Sequence, residues 1–419
     1  MPPLKMPLLQ DIRVPISCKI NLCARAAAFR AIVLKQATEH TTMSDIPCPV
    51  TLNPTGSPAT SPEATPEQAP EGLKAQQPDK NRRDLEWAIS SQALFDTNYL
   101  THYLGDDTSE KQAIELWPHP RLAEQNIFDY RQNPLSQAVE HHLKQTASHF
   151  LGPRFEALWD FFFQQHPGYD VIARNLQVHE KPDTKAGKKS GCQGKTLGEF
   201  DFIVQDLAQK TCWHLETTVK FYLGMPVSMV QGRLHNHFQP RELTSVWLGP
   251  NCIDRLDKKL NTALHRQLTL SRHPAASALL RSMGVTTVKP GLLTRGYLFS
   301  PCQVKEAVHF FADDGLALRP DTSLWTRLRQ LPDALASLTR KNRIESWLLL
   351  PKQEWLSPAR LKNSQSDRLM ATDDTVARVS QIVTRENRPW LVAGMMQQPD
   401  HSHMESLRLF VTPDAWPFL

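Results

Sequence analysis

The sequence predicts a mixed α/β fold, and two observations carry that prediction. Apolar residues recur at helical spacing in some segments and alternate with polar residues in others, and the two kinds of segment are interspersed along the chain. The composition, with 40% hydrophobic and 22% charged residues among 419, is that of a chain with an ordinary packed core. Interspersed strands and helices favour a sheet covered by helices.

The first 83 residues are predicted to form a disordered N-terminal extension. Residues 1–40 are basic and poor in acids, a composition that resembles a transit peptide. The alternative, which we favour, is that translation begins at Met43, since this stretch has no apolar core or cleavage site of the secretory type. Residues 44–82 are rich in Pro, Ser, Thr, Ala and Glu and offer little to bury. Folding is expected to begin near Asp84, with a helix.

Helical spacing of apolar residues predicts three further helices in the first half of the folded part. They cover residues 135–150, residues 154–165 and a long segment that begins near Asp254. The second of these has a buried stripe that includes Phe155, with Glu156 beside it. In the third, leucine recurs at every fourth residue from Leu256 to Leu268.

Alternation of apolar and polar residues predicts the strands. Three alternating segments cover residues 169–180, 197–206 and 211–224. A short polar turn joins the last two, which predicts a β-hairpin. Farther along, the sequence predicts strands over 294–301, 346–352, 389–397 and 406–412, and a helix over 323–331. Residues 301–419 are expected to form a C-terminal α/β portion, either separate from the preceding domain or part of it.

Charge, cysteine content and known motifs narrow the function classes. The formal net charge of +5 permits a polyanionic partner without requiring one. Seven scattered cysteines with no CxxC pair argue against a disulfide framework or a zinc ribbon and favour a reducing, cytoplasmic location. No apolar run approaches the roughly 20 residues that span a bilayer, so no membrane partner is expected. Motifs typical of nucleotide-driven motors, Rossmann cofactors and α/β-hydrolases are absent.

The predicted hairpin concentrates charged residues on one face. Because alternate residues of a strand share a face, Glu199 and Asp201 project together from its first strand, and Glu216 and Lys220 from its second. The opposite face, which includes Phe200, is apolar. Strands flanked by helices tend to be covered, and buried charges without partners are costly. These acids therefore indicate a site, although the solvated face of a two-sided hairpin is the alternative.

Carboxylates clustered in this way suit the hydrolysis of phosphodiesters. They hold a hard cation such as Mg²⁺, which keeps several of its waters. The bound ion polarises the phosphoryl group and lowers the pKa of a bound water. A nearby lysine orients the attacking water or offsets the charge that develops on oxygen.

The order of these elements resembles the PD-(D/E)XK nuclease superfamily. A helix with Glu156 precedes a strand, then Glu-x-Asp on a second strand, Glu and Lys on a third, and a helix. This resemblance covers about residues 150–275. The segments FEALWDFFF, RNLQV, TLGEFDFIV, VKFYLG, WLGPNCIDRLDKKL and FVTPDAWP also resemble an uncharacterised bacterial family grouped with this superfamily, over about 85–419. The resemblance implies a restriction-endonuclease-like core, a mixed sheet flanked by helices, within residues 84–300.

The resemblance also implies a role for each charged residue. Asp201 would be the principal metal ligand, Glu216 the second and Glu199 an assisting one, while Lys220 would be the catalytic lysine and Glu156 an acid contributed by the helix. One departure stands out. The superfamily pattern is Glu-x-Lys, whereas here the Glu and the Lys are four positions apart, about 13 Å along an ideal strand instead of about 7 Å. The Glu and the Lys lie on the same face of the strand, but they are farther apart than the superfamily pattern requires.

The sequence therefore predicts a nuclease that depends on Mg²⁺ or Mn²⁺ and acts on DNA or RNA. The alternatives are a nuclease-fold protein without turnover, which binds nucleic acid or another protein, and a structural protein with an acidic surface. Basic residues near the hairpin are candidates for phosphate contacts, and a solvated loop or helix face explains them equally well. They are Lys181, Lys185, Lys188, Lys189, Lys195, Arg255, Lys258, Lys259 and Arg266.

Overall fold

The computed structural model describes eight segments of the chain. They are residues 77–104, 114–117, 133–145, 150–180, 195–226, 245–302, 315–318 and 321–417. All of them belong to one compact unit. The disorder predicted for residues 1–76, and the predicted loop lysines from Lys181 to Lys189, lie outside the described residues.

Within these segments, eleven strands form one mixed sheet. The strands are β1 Glu115–Trp117, β2 Tyr169–His179, β3 Thr196–Asp206, β4 Thr211–Pro226, β5 Ser245–Leu248, β6 Lys289–Pro301, β7 Ser323–Arg327, β8 Ser346–Leu350, β9 Arg360–Leu361, β10 Trp390–Gln397 and β11 His403–Thr412. The main path runs β2-β3-β4-β6-β7-β11-β10-β8, with β1 beside β6, β5 beside β4 and β9 beside β11. Parallel pairing joins β4, β6, β7 and β11 in succession, and also β1 and β6, while the other pairs are antiparallel.

Helices flank this sheet, which confirms the predicted mixed α/β class. They are α1 Gln77–Ser90, α2 Thr97–Leu104, α3 Asn133–Gln145, α4 Leu151–Gln165, α5 Leu256–Thr262, α6 Pro274–Ser282, α7 Leu331–Asn342 and α8 Thr372–Glu386. In the part of the chain that the structure describes, none of the helices has the length and apolar character needed to cross a bilayer.

Both faces of the central strands are covered, as β6 illustrates. Leu293 and Phe299 belong to the core that contains Trp159 of α4. Leu292 and Leu298, which alternate with them, pack on the other face with α5. A strand that is buried on both faces is rich in apolar residues along its whole length. Charged side chains on such strands therefore need either a partner or a function.

The folded part begins earlier than predicted. α1 begins at Gln77 rather than near Asp84. Asn81 and Asp84 are buried, and both accept hydrogen bonds from Nη2 of Arg154 on α4, at 2.6 and 2.8 Å. Tertiary hydrogen bonds thus hold a segment whose polar composition predicts disorder.

The helix predicted over residues 323–331 is wrong. Ser323–Arg327 form β7, which pairs in parallel with β11, and α7 begins only at Leu331. The apolar spacing of this segment is compatible with a helix. However, the segment lies between two other strands and is buried on both faces, so pairing and burial override the local pattern.

The long helix predicted from Asp254 is interrupted. α5 ends at Thr262 and continues as a π-helical turn, Ala263–Gln267, before a 3₁₀ turn and α6. Leucines at every fourth position, from Leu256 to Leu268, are buried together as predicted. The π-helical turn changes the direction of the side chains that follow it, which is a feature common at functional sites.

Candidate functional site

The predicted hairpin is formed by β3 and β4, and the candidate site lies where these two strands separate. The last backbone pair between them is Phe202 with Leu215. Next to this pair, Oδ2 of Asp201 accepts hydrogen bonds from the backbone N–H of Thr217 at 2.8 Å and from its hydroxyl at 3.2 Å. β4 continues along β6 instead. Asp201 is thereby held at a fork in the sheet.

Three carboxylates from three elements act on one another at this fork. Burial and repulsion from Asp201 raise the pKa of Glu156, on α4, to about 7. Burial and repulsion from Glu216 raise the pKa of Asp201 to about 6. Burial, together with repulsion from Glu156 and Glu199, raises the pKa of Glu216. The structure therefore brings together the acids that the sequence singles out, and we call Glu156, Asp201 and Glu216 the acidic centre.

Glu216 is the most enclosed of these acids, and two side chains hold it. Its side chain is buried, with Oε1 3.2 Å from Nε2 of His214. Gln267, the last residue of the π-helical turn, donates from Nε2 to Oε2. Burial lowers the pKa of His214 to about 4, so this imidazole is neutral at neutral pH. The carboxylate is thus fixed in position by two uncharged side chains.

The lysine that faces the acidic centre is Lys259 of α5. Its positive charge lowers the pKa of all three carboxylates, against the opposing effects of burial and mutual repulsion. Its Nζ donates a hydrogen bond of 3.0 Å to Oε1 of Gln267, the same amide that donates to Glu216. Lys259 is therefore linked to the centre both by charge and through one bridging side chain.

Lys220, the lysine predicted from the superfamily pattern, is paired with an acid outside the acidic centre. Its Nζ donates to Oδ2 of Asp254 at 3.0 Å, and it lines a recess together with Thr218, Tyr222 and Lys259. It shares a strand face with Glu216, but the two lie four positions apart along β4. In the described structure, Lys259 rather than Lys220 has a hydrogen-bonded link to Glu216, through Gln267.

A second cation borders the acidic centre. Arg174 of β2 donates from Nη1 to Oδ2 of Asp160 at 2.5 Å. Asp160 is buried and also accepts from Gln164 at 3.0 Å, and it lies 3.1 Å from Nε2 of His142. The positive charge of Arg174 opposes the rise in the pKa of Glu156. A buried carboxylate with several partners thus fixes a guanidinium beside the centre.

The alternation predicted for β3 fails at Phe200. Phe200 packs with Ile203, whereas Phe202 packs in the core on the other face. The Phe200 ring meets that of His214 edge-on, with 4.6 Å between centroids. The neighbouring strand β2 has Asn175 in the left-handed region, at φ 48°, between the residues that pair with the two phenylalanines. The face that carries the acids is therefore also partly apolar.

Sequence reasoning missed Gln267, which the π-helical turn sends into the site, and named Lys259 of α5 only as a candidate for phosphate contacts. The signal for Lys259 is its spacing, because it lies three residues after Leu256 and next to Leu260, on the buried side of the helix. For Gln267 no comparable signal exists. Its direction depends on the π-helical turn, in which the N–H of Leu268 donates to the carbonyl of Ala263.

The acidic centre suits a hard divalent cation held by few protein ligands. Among the described residues, no group of three or more His, Cys, Asp or Glu side chains is arranged closely enough to hold a metal ion. Mg²⁺ commonly uses one or two carboxylates and keeps several waters. Asp201 and Glu216 supply such a pair from neighbouring strands. Their raised pKa values indicate an environment that a bound cation would relieve.

Stability is expected to fall as the pH rises through the titration of this centre. Glu156 and Asp201 have ordinary pKa values of 4.5 and 3.8 and folded-state values of about 7 and about 6. Between these limits the folded protein binds more protons than the unfolded chain, so the free energy of unfolding decreases as the pH rises. We expect a decrease of about 2 kcal/mol after allowance for the solvent exposure of Glu156.

Urea unfolding in EDTA at a series of pH values from 4 to 8 measures this decrease. Asp201→Asn removes one repelling charge and keeps an acceptor for Thr217, so its stability should depend less steeply on pH. Asp170→Asn, on the exposed face of β2, is the matched control and should keep the wild-type slope. A wild-type stability that is constant or rises over this pH range would contradict the predicted repulsion.

Comparison with protein families identifies the domain that contains this site. Residues 83–412 match the model of a family described as a domain of unknown function, DUF1853. The chain belongs to this family. No curated protein and no solved structure matches the chain significantly. The DUF1853 match begins within α1 and ends with β11, so it includes the acidic centre, α5 and the whole sheet. The predicted membership of an uncharacterised family is confirmed.

Proposed function

We propose that this DUF1853 protein is a nuclease of PD-(D/E)XK type, which uses Mg²⁺ or Mn²⁺ to hydrolyse phosphodiester bonds of DNA or RNA. The observation that carries the proposal is the convergence of Glu156, Asp201 and Glu216 at the sheet fork, with one lysine acting on all three. A helix, β2, β3, β4 and α5 supply the site in that order, which is the order on which the resemblance to the superfamily rests.

Each residue of the centre has a role that follows from its surroundings. Asp201 and Glu216 would hold the cation, with Glu199 near enough to act on Glu216. When bound, the ion supplies polarisation of the phosphoryl group and a water of lowered pKa. Glu156, with a pKa of about 7, exchanges a proton readily at neutral pH and suits general acid–base work. Lys259 would offset negative charge on the phosphoryl oxygens.

Cleavage assays with purified protein test this function. Wild-type protein should cut supercoiled plasmid, single-stranded circular DNA or structured RNA with Mg²⁺ or Mn²⁺, and EDTA should stop the reaction. Asp201→Asn should reduce the rate by at least about 100-fold, because it removes charge where the transition state needs it. Asp170→Asn serves as the control with an unchanged rate. Metal binding without cleavage of any of these substrates would contradict the proposed activity.

One observation favours a second candidate, a protein that keeps the fold and binds nucleic acid without turnover. Both oxygens of Glu216 are engaged already, Oε1 by His214 and Oε2 by Gln267. A cation would have to share these oxygens with their present donors or displace one of the contacts. Thermal unfolding with 1 mM Mg²⁺ separates the candidates. A site with a dissociation constant near 10 μM would stabilise the protein by about 2.7 kcal/mol, whereas a centre without a metal would show no shift.

A further inference from the structure

The segment that contributes Lys259 and Gln267 to the site carries a surface without acidic residues. Residues 258–282, from α5 to the end of α6, contain five Lys or Arg, two His and no Asp or Glu. The stretch without an acid extends to residue 305, although acids make up about one residue in ten of the whole chain, 43 of 419. A region of one sign of charge attracts ligands of the other sign.

Two cations of this segment lie on the outside, directly beside the residues that enter the site. Lys258 and Arg266 are exposed, while the leucines of the segment are buried against the sheet. Lys258 precedes Lys259, and Arg266 precedes Gln267. Lys259 and Gln267 are linked to Glu216, so each exposed cation lies one residue away from a residue of the site, on the outer surface of the same segment.

These two cations differ from Arg255 and Lys259, the other basic residues of this region that the sequence suggests for phosphate contacts. Arg255 is neutralised by Asp257, whose two oxygens accept from its Nε at 2.9 Å and its Nη2 at 2.5 Å. Lys259 is turned inward. Within the segments that the structure describes, neither Lys258 nor Arg266 has an acidic partner in an ion pair. Both retain their full charge for a ligand.

We propose that Lys258 and Arg266 form a phosphate-binding rim that holds the backbone of nucleic acid beside the acidic centre. The inference rests on the proposed function, since the phosphates bound here belong to the strand that the centre would cleave. A centre with three carboxylates repels a polyanion. A rim of cations on the same helical segment offsets that repulsion and brings the strand within reach. Contacts to phosphates position a strand without selecting its sequence.

Binding measured by fluorescence anisotropy tests the rim. The probes are a labelled 20-nucleotide single strand and a labelled 20-base-pair duplex, with EDTA present and salt varied from 50 to 300 mM. Lys258→Gln combined with Arg266→Gln should weaken binding about tenfold at low salt. Loss of two phosphate contacts should reduce the slope of log affinity against log salt by about 1.4 for the single strand and 1.8 for the duplex.

A matched control and the choice of buffer keep this test separate from that of the nuclease function. Arg340→Gln combined with Arg378→Gln removes the same charge from the exposed faces of α7 and α8 and should leave binding unchanged. Equal binding by the two double variants, or no binding of either probe by the wild type, would overturn the rim. Because EDTA prevents cleavage, rim-dependent binding by a protein that never cuts would refute the nuclease and leave the rim intact.

Discussion

Lys259→Met is expected to reduce metal-dependent cleavage by about 100-fold or more, whereas Lys220→Met is expected to retain most of it. A loss of this size is typical when a charge that stabilises the transition state is removed from a partly buried site. Lys259 lowers the pKa of every carboxylate of the acidic centre, and it is hydrogen-bonded to the amide that holds Glu216. Lys220 forms an ion pair with Asp254, and the two side chains are 27% and 46% exposed, respectively.

The pH dependence of the rate separates a catalytic role of Lys259 from a structural one. Without this lysine, the pKa of Glu156 should rise further above 7, and the pH–rate profile should move to higher pH. Lys259→Arg keeps the charge and should restore part of the activity. Melting temperatures of all variants show whether folding is intact. If Lys220→Met abolished cleavage while Lys259→Met cut normally, the assignment by superfamily pattern would be right and the assignment by geometry wrong.

Asp84→Ala is expected to lower the free energy of unfolding by about 3–5 kcal/mol, the usual cost of removing one partner of a buried ion pair. Asp84 is fully buried. Its Oδ2 accepts from Nζ of Lys80 at 2.5 Å and from Nη2 of Arg154 at 2.8 Å, and its Oδ1 accepts from the hydroxyl of Ser357 at 2.7 Å. These contacts join α1 to α4 and to the segment after β8, and the substitution leaves two cations without their partner.

Urea unfolding at pH 7 measures the effect of Asp84→Ala. The control is Asp321→Ala, which breaks a surface pair with Lys341 whose side chains are 76% and 66% exposed. It should cost less than about 1 kcal/mol, because exposed ion pairs contribute little. An Asp84→Ala protein as stable as this control would show that the buried network does not hold α1 to the domain.

The same network has the opposite pH dependence from the acidic centre. Burial alone would raise the pKa of Asp84, but the charges of Lys80 and Arg154 lower this pKa from 3.8 to about 2. The stability that this carboxylate contributes is therefore fully present above pH 3.8 and is lost as the pH falls towards 2. In the acidic centre, by contrast, stability is lost as the pH rises. The wild-type protein should thus be most stable in mildly acidic solution.

Periodicity predicts those elements whose burial leaves a regular trace in the sequence. Alternation locates β2, β3, β4, β10 and β11, and leucine spacing locates the beginning of α5. β7 is missed because it is buried on both faces, and its apolar residues then fit a helical pattern as well. The beginning of α1 is missed because polar contacts with Arg154 hold it.

The candidate site is predictable only as far as single elements allow. Glu156, Asp201 and Glu216 are visible because each lies among apolar residues, where a charge needs a reason. The sequence does not show in this way whether Lys220 or Lys259 is the lysine of the site. It depends on how closely α5 packs over the fork, and a pattern along one strand contains no information on that distance.

By itself the sequence determines the α/β class, the acids on α4, β3 and β4, and the acid-free stretch from residue 258 to 305. Tertiary structure alone decides that β4 leaves β3 after Leu215, that a π-helical turn sends Gln267 to Glu216, and that Lys259 faces the carboxylates. The physical reason is that periodicity records which side of one element is buried. A site, however, consists of distances between side chains of different elements, and only the packing of those elements sets these distances.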